Sequence, residues 1–338
     1  MSQEASKDSA PFPLNLTTLG LQHVFSLFEA EPEHLLQARY RLEDILGNGN
    51  SATTYLALDT FTGEHVAIKT VIKEHEPVVR NEIQILRLLA SDSDFVRTPR
   101  LIDTFFAHEK CCVVLEAFRP LTPLRTSITM FDRVERLRRF AFDICIQLCH
   151  LNKFDLLHAD VKLTNVMQSK VDDGFVLIDY GNALSLKDLE FYYGESESDS
   201  WELQTAFYRA PEVYLRRKPL IPAIDYWSLG ISLLEFVIGE MYIPETLPEL
   251  FDSWYSLLGP LPSCMTNNED NLREWAGEEA DRETKISSLY TATRIADEAF
   301  LDFLAGLLEY QPEQRLQGVQ CLLHPFLRPL SPILSFIT

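Results

Sequence analysis

The chain has 338 residues and carries 50 acidic against 30 basic side chains, a formal net charge of −20. That balance disfavours nucleic acid and anionic membrane, which need a basic face, and it favours cationic partners. The length exceeds one hydrophobic core, so two lobes are expected, and the six cysteines Cys111, Cys112, Cys145, Cys149, Cys264 and Cys321 show neither zinc spacing nor a secreted framework. Reduced thiols in cytosol or nucleus follow as the expectation.

Residues 1–39 form a polar extension with helix-like apolar content at 19–28 and no signal-peptide layout at its start. From Tyr40 to Leu46 apolar residues alternate as in a strand, and Leu46-Gly47-Asn48-Gly49-Asn50-Ser-Ala52-Thr-Thr54 then turns back into a second strand. Glycines in such a turn let backbone N–H groups approach phosphates closely. A lone Gly-x-Gly is also an ordinary hairpin, and a dinucleotide fold fails here because no helix pattern follows directly.

The β-branched run Val66-Ala67-Ile68-Lys69 carries one lysine, which needs a partner because a buried unpaired ammonium is costly. Glu82 is the candidate, since Glu82, Leu86 and Leu89 share one helical face. A lysine that discourages edge pairing and a solvated glutamate are the plainer alternatives. Residues 40–116 alternate short β-type runs with one helix, and residues 124–327 are dominated by helical periodicity, as over 131–154.

Next come His158-Ala159-Asp160-Val-Lys162-Leu163-Thr-Asn165 and Val176-Leu-Ile-Asp179-Tyr180-Gly181. An Asp, a Lys and an Asn at this spacing on a loop can set a carboxylate beside a hydroxyl, a cation beside a phosphate and an amide beside a metal ion. A second carboxylate leaving a buried strand before Gly can hold magnesium, a hard cation that prefers oxygen ligands. Taken singly, each fragment is equally an ion pair or a strand ending in a turn.

Further on stand Gln204-Thr205, Tyr208-Arg209-Ala210-Pro211-Glu212, Asp225-Tyr-Trp227, Pro312 to Arg315 and Cys321-Leu-Leu-His324-Pro325-Phe326. The window 221–244 is strongly apolar, but Asp225, Glu235 and Glu240 interrupt it, which favours a core helix over a membrane span. The segments 195–200 and 267–283 are acidic and are expected at the surface, the second as an insert of the large lobe.

In this order the motifs resemble the protein kinases over residues 40–327, and the Tyr-Arg-Ala-Pro-Glu and Cys-x-x-His-Pro-Phe forms resemble the CMGC group. Gln204-Thr205, Asp179-Tyr-Gly-Asn182-Ala183 and the missing Arg before Asp160 are similar to SR-protein kinases and their dual-specificity-tyrosine-regulated and Clk relatives, with SR-protein kinases preferred. The resemblance implies an α+β, two-lobed fold: a small antiparallel β lobe with one helix over 40–116, a mainly helical lobe over 119–327 and a tail at 328–338.

It also implies ATP and Mg2+, with Asp160, Lys162 and Thr205 catalytic and Asn165 and Asp179 on the metal. Leu46, Gly47, Asn48, Gly49, Asn50, Ala52, Thr54, Ala67, Lys69 and Glu82 would hold the nucleotide, with Leu115 as gatekeeper and Glu116 and Phe118 as the adenine-binding hinge. Thr205 would touch both Asp160 and Lys162, Glu212 would pair with Arg315, and Asp225 would anchor the catalytic loop. The expected activity is serine/threonine phosphorylation of basic or Arg/Ser-rich proteins by a cytoplasmic or nuclear monomer. A pseudokinase scaffold is the alternative, but the lysine, base and metal residues are all present, and Ala52, Tyr180 and Leu163, where the kinase pattern has Gly, Phe and Pro, bear on rate more than on activity.

Overall fold

Alternating burial shapes the first part of the chain. In the computed structural model, which describes residues 35–49, 52–92, 96–124, 129–189, 203–239, 244–266 and 270–330, six of its strands form one sheet. These are β1 (Leu35–Leu36), β2 (Tyr40–Asn48), β3 (Ala52–Asp59), β4 (His65–Val71), β5 (Leu101–Ala107) and β6 (Lys110–Glu116), in the order β1-β2-β3-β4-β6-β5. The first four pair antiparallel. Tyr55, Ala57 and Asp59 on β3 and Val66, Ile68 and Thr70 on β4 are buried, while the residues between them are less so, the period-2 signature of a half-buried sheet. Register shifts at Leu42/Asp44 and Ile45/Gly47 interrupt β2, and such bulges bend and twist a strand.

The sheet reaches back into the segment read from sequence as an extension. Leu36 pairs with Tyr40, and Arg39 donates to both carboxylate oxygens of Asp59, at 2.9 and 2.7 Å. Those donors hold the Asp59 carboxyl far below the usual carboxylate range although it is buried. The apolar stretch at 19–28 and the acidic stretch at 195–200 lie outside the described residues.

The chain divides into two compact units, one holding the residues up to Lys73 together with Thr104–Val114, the other holding Glu74–Asp103 and everything from Leu115. Helix α1 (Glu76–Ala90) belongs to the second, where Ile85, Leu86 and Leu89 join its apolar core. Pro77 sits in the first turn of α1, where no backbone N–H is required, and Arg80 pairs with Glu76 one turn back.

Helix α2 (Met130–Lys153) is capped by Thr129, whose hydroxyl accepts from the Asp132 N–H at 3.1 Å, and it buries Leu137, Phe140, Ile144 and Leu148. Helix α3 (Ala223–Ile238) is apolar on nearly every side and correspondingly buried, as expected of a core helix. Among the described residues no helix is long and apolar enough to cross a membrane. Between α2 and α3, β7 (Leu156–Leu157) pairs with β10 (Leu184–Ser185), and β8 (Val166–Gln168) pairs with β9 (Phe175–Leu177). Gln147 of α2 clips β9 in place, accepting from Leu177 N–H at 2.8 Å and donating to Phe175 O at 3.0 Å. The two pairings bracket residues 158–165 and 178–183, so that these loops leave one scaffold.

Helices α4 (Leu247–Leu258), α5 (Arg282–Thr293), α6 (Glu298–Leu307) and α7 (Val319–Leu323) also belong to this unit, beside two one-turn helices at Pro211–Tyr214 and Ser263–Thr266. The acidic segment around 270–283 is not simply surface. Leu272 and Trp275 are buried, with Trp275 Nε1 donating to Asp252 at 2.7 Å, and Lys285 is buried between Glu279 and Glu309 at 2.6 and 3.0 Å. Two large apolar side chains outweigh the acidic neighbours here, because burying each is worth roughly 1.5–3 kcal/mol. All six cysteines are free thiols.

Candidate active site

In the first unit, the strand register lines up the residues expected to hold phosphate. Gly47 pairs with Thr54 and Thr54 with Lys69, so the three form one row across β2, β3 and β4. Thr54, Ala67 and Lys69 lie on the less buried face, opposite Tyr55, Ile68 and Thr70. The turn is closed by Gly49 N–H donating to Ala52 O at 2.9 Å and by Thr53 Oγ1 donating to Asn48 Oδ1 at 2.9 Å. Leu46 stands beside it, 43% exposed, while Asn50 lies outside the described residues.

The second unit assembles the rest. Leu115 and Glu116 end β6, with the Glu116 N–H bonded to Arg100 O at 3.0 Å, and Phe118 follows half-buried. Glu82 is buried on α1. Four donors surround the Asp160 carboxylate: Thr205 Oγ1 donates to Oδ1 at 2.6 Å, while Lys162 Nζ at 2.8 Å, Asn165 Nδ2 at 3.2 Å and Asn182 Nδ2 at 3.4 Å reach Oδ2. Lys162 Nζ also donates to Thr205 Oγ1 at 3.0 Å. Thr205 thus accepts from the lysine and donates to the aspartate, which leaves one orientation for each of the three.

The loop backbone is held from below. Asp225, fully buried at the start of α3, accepts from His158 N–H at 2.7 Å and Ala159 N–H at 2.9 Å. Burial lifts its carboxyl to about 7, against the pull of those two donors. Ala159 and Asp179 both adopt left-handed backbone, with φ of 61° and 65°, a conformation costing a non-glycine residue about 1–3 kcal/mol unless its surroundings impose it. The Asp225 contact imposes it at Ala159. Arg315 and Glu212 form a buried two-pronged pair at 2.6 and 2.9 Å beneath the Ala-Pro-Glu turn.

Magnesium fits the donor set. Asn165 commits its amide nitrogen to Asp160 O at 2.9 Å and to Oδ2, which leaves Oδ1 as the atom suited to a hard cation, and Asp179 contributes a carboxylate two residues beyond β9.

Several residues without a role in the sequence reading belong to this arrangement. His158 is buried edge-on against Tyr180, its Nε2 paired with Ile178 O at 3.1 Å and its Nδ1 accepting from Asp160 N–H at 3.3 Å. Burial lowers its pKa to about 4, so it sits as a neutral spacer. Gln204, buried with left-handed backbone, donates to Ile224 O at 3.0 Å and Ser228 Oγ at 2.8 Å and accepts from Ala210 N–H at 3.0 Å. Arg209 donates to the carbonyls of Leu203 and Gln204 at 2.8 and 3.1 Å. Both tie down the backbone around Thr205, and in the sequence they stood only as parts of the motifs that carry the resemblance, with no role of their own.

Residues 40–327 match the family described as protein kinase domain. The chain belongs to the protein kinases. Among similar proteins, Dual specificity protein kinase CLK1 of Homo sapiens is 27% identical over 332 residues, covering 86% of the kinase chain and 66% of the relative. Serine/threonine-protein kinase AFC3 of Arabidopsis thaliana is 26% identical, covering 91% of this chain and 86% of its own, and probable serine/threonine-protein kinase dyrk2 of Dictyostelium discoideum is 26% identical, covering 88% and 33%. The kinase therefore spans about two thirds of the Clk relative and a third of the dyrk2 relative. A solved crystal structure of a kinase domain superposes with a TM-score of 0.68 at 22% identity, covering 88% of this chain and 98% of that one, which bears on fold alone. The kinase has the α+β, two-lobed fold of its family, and its most similar relatives include Clk, dyrk2 and AFC3 kinases of the CMGC group.

Proposed function

We propose that this kinase transfers the γ-phosphate of Mg-ATP to serine or threonine hydroxyls in basic, Arg/Ser-rich segments of other proteins. The network of Asp160, Thr205 and Lys162 carries the reading, since it holds a carboxylate suited to act as base and an ammonium suited to a phosphate in one fixed geometry. The substrate hydroxyl attacks the γ-phosphorus and passes its proton to Asp160 as the new O–P bond forms. The bond from the γ-phosphorus to the bridging oxygen breaks, ADP leaves, and Lys162 stabilises charge on the transferred group. Asn165 and Asp179 would hold magnesium, which neutralises charge on the phosphate oxygens when bound. Lys69 and the row Gly47-Thr54-Lys69 are assigned to the nucleotide phosphates, and Leu115, Glu116 and Phe118 to the adenine end.

The preference for basic segments rests on the net charge of −20, which attracts cationic chains, and on the likeness to Clk-type kinases. Six free thiols suit a reducing compartment, cytosol or nucleus. The test is radiolabelled phosphotransfer from Mg-ATP to an Arg/Ser peptide, to matched peptides bearing Thr or Tyr, and to an acidic peptide, with Asp160→Asn as the control. Label on the basic Ser and Thr peptides that vanishes in the control is the expected result; equal label on the acidic peptide overturns the substrate preference, and none on any overturns the activity.

A further inference from the structure

Helix α1 meets the turn after Asp179 through one helical face. Asn81 Nδ2 donates to Gly181 O at 3.2 Å and to Ala183 O at 2.6 Å, spending both hydrogens of a single amide on carbonyls a hundred residues away. One turn earlier, Val78 lies so close that a Cβ on Gly181 would stand 2.8 Å from its Cγ1, which no real structure tolerates without displacement. Tyr180, which opens the turn, is fully buried, and burial together with the charge of Glu82 pushes its phenol pKa upward. Positions 78, 81 and 82 fall on one side of the helix, so a single face contacts the whole turn.

We propose that Asn81 is a positioning residue for phosphotransfer: its side-chain amide locks α1 to the 181–183 backbone and so fixes Glu82 and Asp179 relative to each other. The role rests on the phosphotransfer reading above. Its chemical logic is that both carbonyls need a donor, and a neutral amide supplies two without introducing charge beside the metal-ligating carboxylate. The chain has Ala159 where the kinase resemblance places an arginine able to grip a phosphorylated segment. The Asn81 clamp supplies an ordering contact from the protein's own unmodified groups. Movement of α1 away from the turn would break both hydrogen bonds together, which makes the lock two-state rather than graded.

The test uses the full chain and three variants. Asn81→Asp is isosteric but turns an acceptor toward two carbonyls; Asn81→Ala removes the donor; Asn81→Gln keeps an amide on a longer arm. The expected order of kcat is wild type, Gln, Ala, Asp, with the last about 10²-fold down, the scale of a 1 Å misplacement. The Mg2+ concentration giving half-maximal nucleotide binding should rise in the same order while the melting midpoint stays near wild type. In the metal-free protein, hydrogen exchange should quicken in α1 and at 180–186 and nowhere else. If Asn81→Asp does not fold, Asn81→Ala carries the same readouts. Folded variants with unchanged Mg2+ half-saturation and unchanged local exchange overturn the positioning role alone. A wild-type protein that neither binds Mg-ATP nor transfers phosphate sinks the phosphotransfer reading, and this role falls with it.

Discussion

Thr205 donates its hydroxyl to Asp160 Oδ1 at 2.6 Å across 45 residues of sequence, while accepting from Lys162 at 3.0 Å. The hydroxyl links the Asp160 carboxylate to the Lys162 ammonium, and no apolar side chain can make both bonds. Thr205→Val keeps the shape and removes both bonds. It should lower kcat by about 10²-fold through misplacement of Asp160 and leave the KM for ATP near wild type. Thr205→Ser should recover most of the rate. Steady-state kinetics at varied ATP checks this, and a wild-type kcat in the valine variant would refute the role.

The proposed roles separate Asp160 from Asp179 although both are carboxylates. Asp160→Asn should reduce turnover by about 10²- to 10⁴-fold, the usual range for an acid–base group, with Mg-ATP affinity retained. Asp179→Asn should weaken nucleotide binding in Mg2+ and change it little in EDTA. Calorimetric titration of nucleotide in both media distinguishes the two variants.

The Arg315–Glu212 pair is structural. Both side chains are almost fully buried, so removing one leaves an uncompensated charge without water. Glu212→Ala should destabilise the protein by about 3–5 kcal/mol, and the double change to methionine at both positions by less than the sum of the single ones. Denaturant unfolding measured by tryptophan fluorescence reads the difference.

His158 contributes to acid sensitivity. Its pKa falls from 6.5 to about 4 on folding, chiefly because burial disfavours the imidazolium. The unfolded chain therefore binds the proton first as pH drops, and stability present above 6.5 is lost on descending toward 4. Melting curves between those limits should be flatter for His158→Phe than for wild type. An equal slope in both would assign the acid sensitivity to other groups.

The residues proposed to carry the chemistry could be picked out from sequence where neighbours in sequence are neighbours in space. Asp160, Lys162 and Asn165 sit on one loop, and Asp179 directly follows a strand, so their spacing alone restricts what they can reach. Strand β2 and the helices α1 and α2 followed from periodicity, because burial of one face imposes a period of 2 or 3.6 on the residues themselves, while α3 followed from its unbroken apolar content. Thr205, Glu212 with Arg315, and Asp225 could be placed only through resemblance. Their partners lie 45, 103 and 67 residues away, and no local pattern encodes such distances.

Tertiary structure alone decided the remainder. Asn81 beside Glu82 reads as an unremarkable helix residue until Gly181 and Ala183 arrive from the other end of the unit to use its amide. Leu36 belongs to a strand only because Tyr40 lies opposite it, and Leu272 and Trp275 are buried in a stretch whose charge suggested solvent. In each case the free energy comes from a contact between segments distant in the chain. A sequence records the donor, the carbonyl or the apolar ring separately; only the folded backbone brings the two members of a pair within bonding distance.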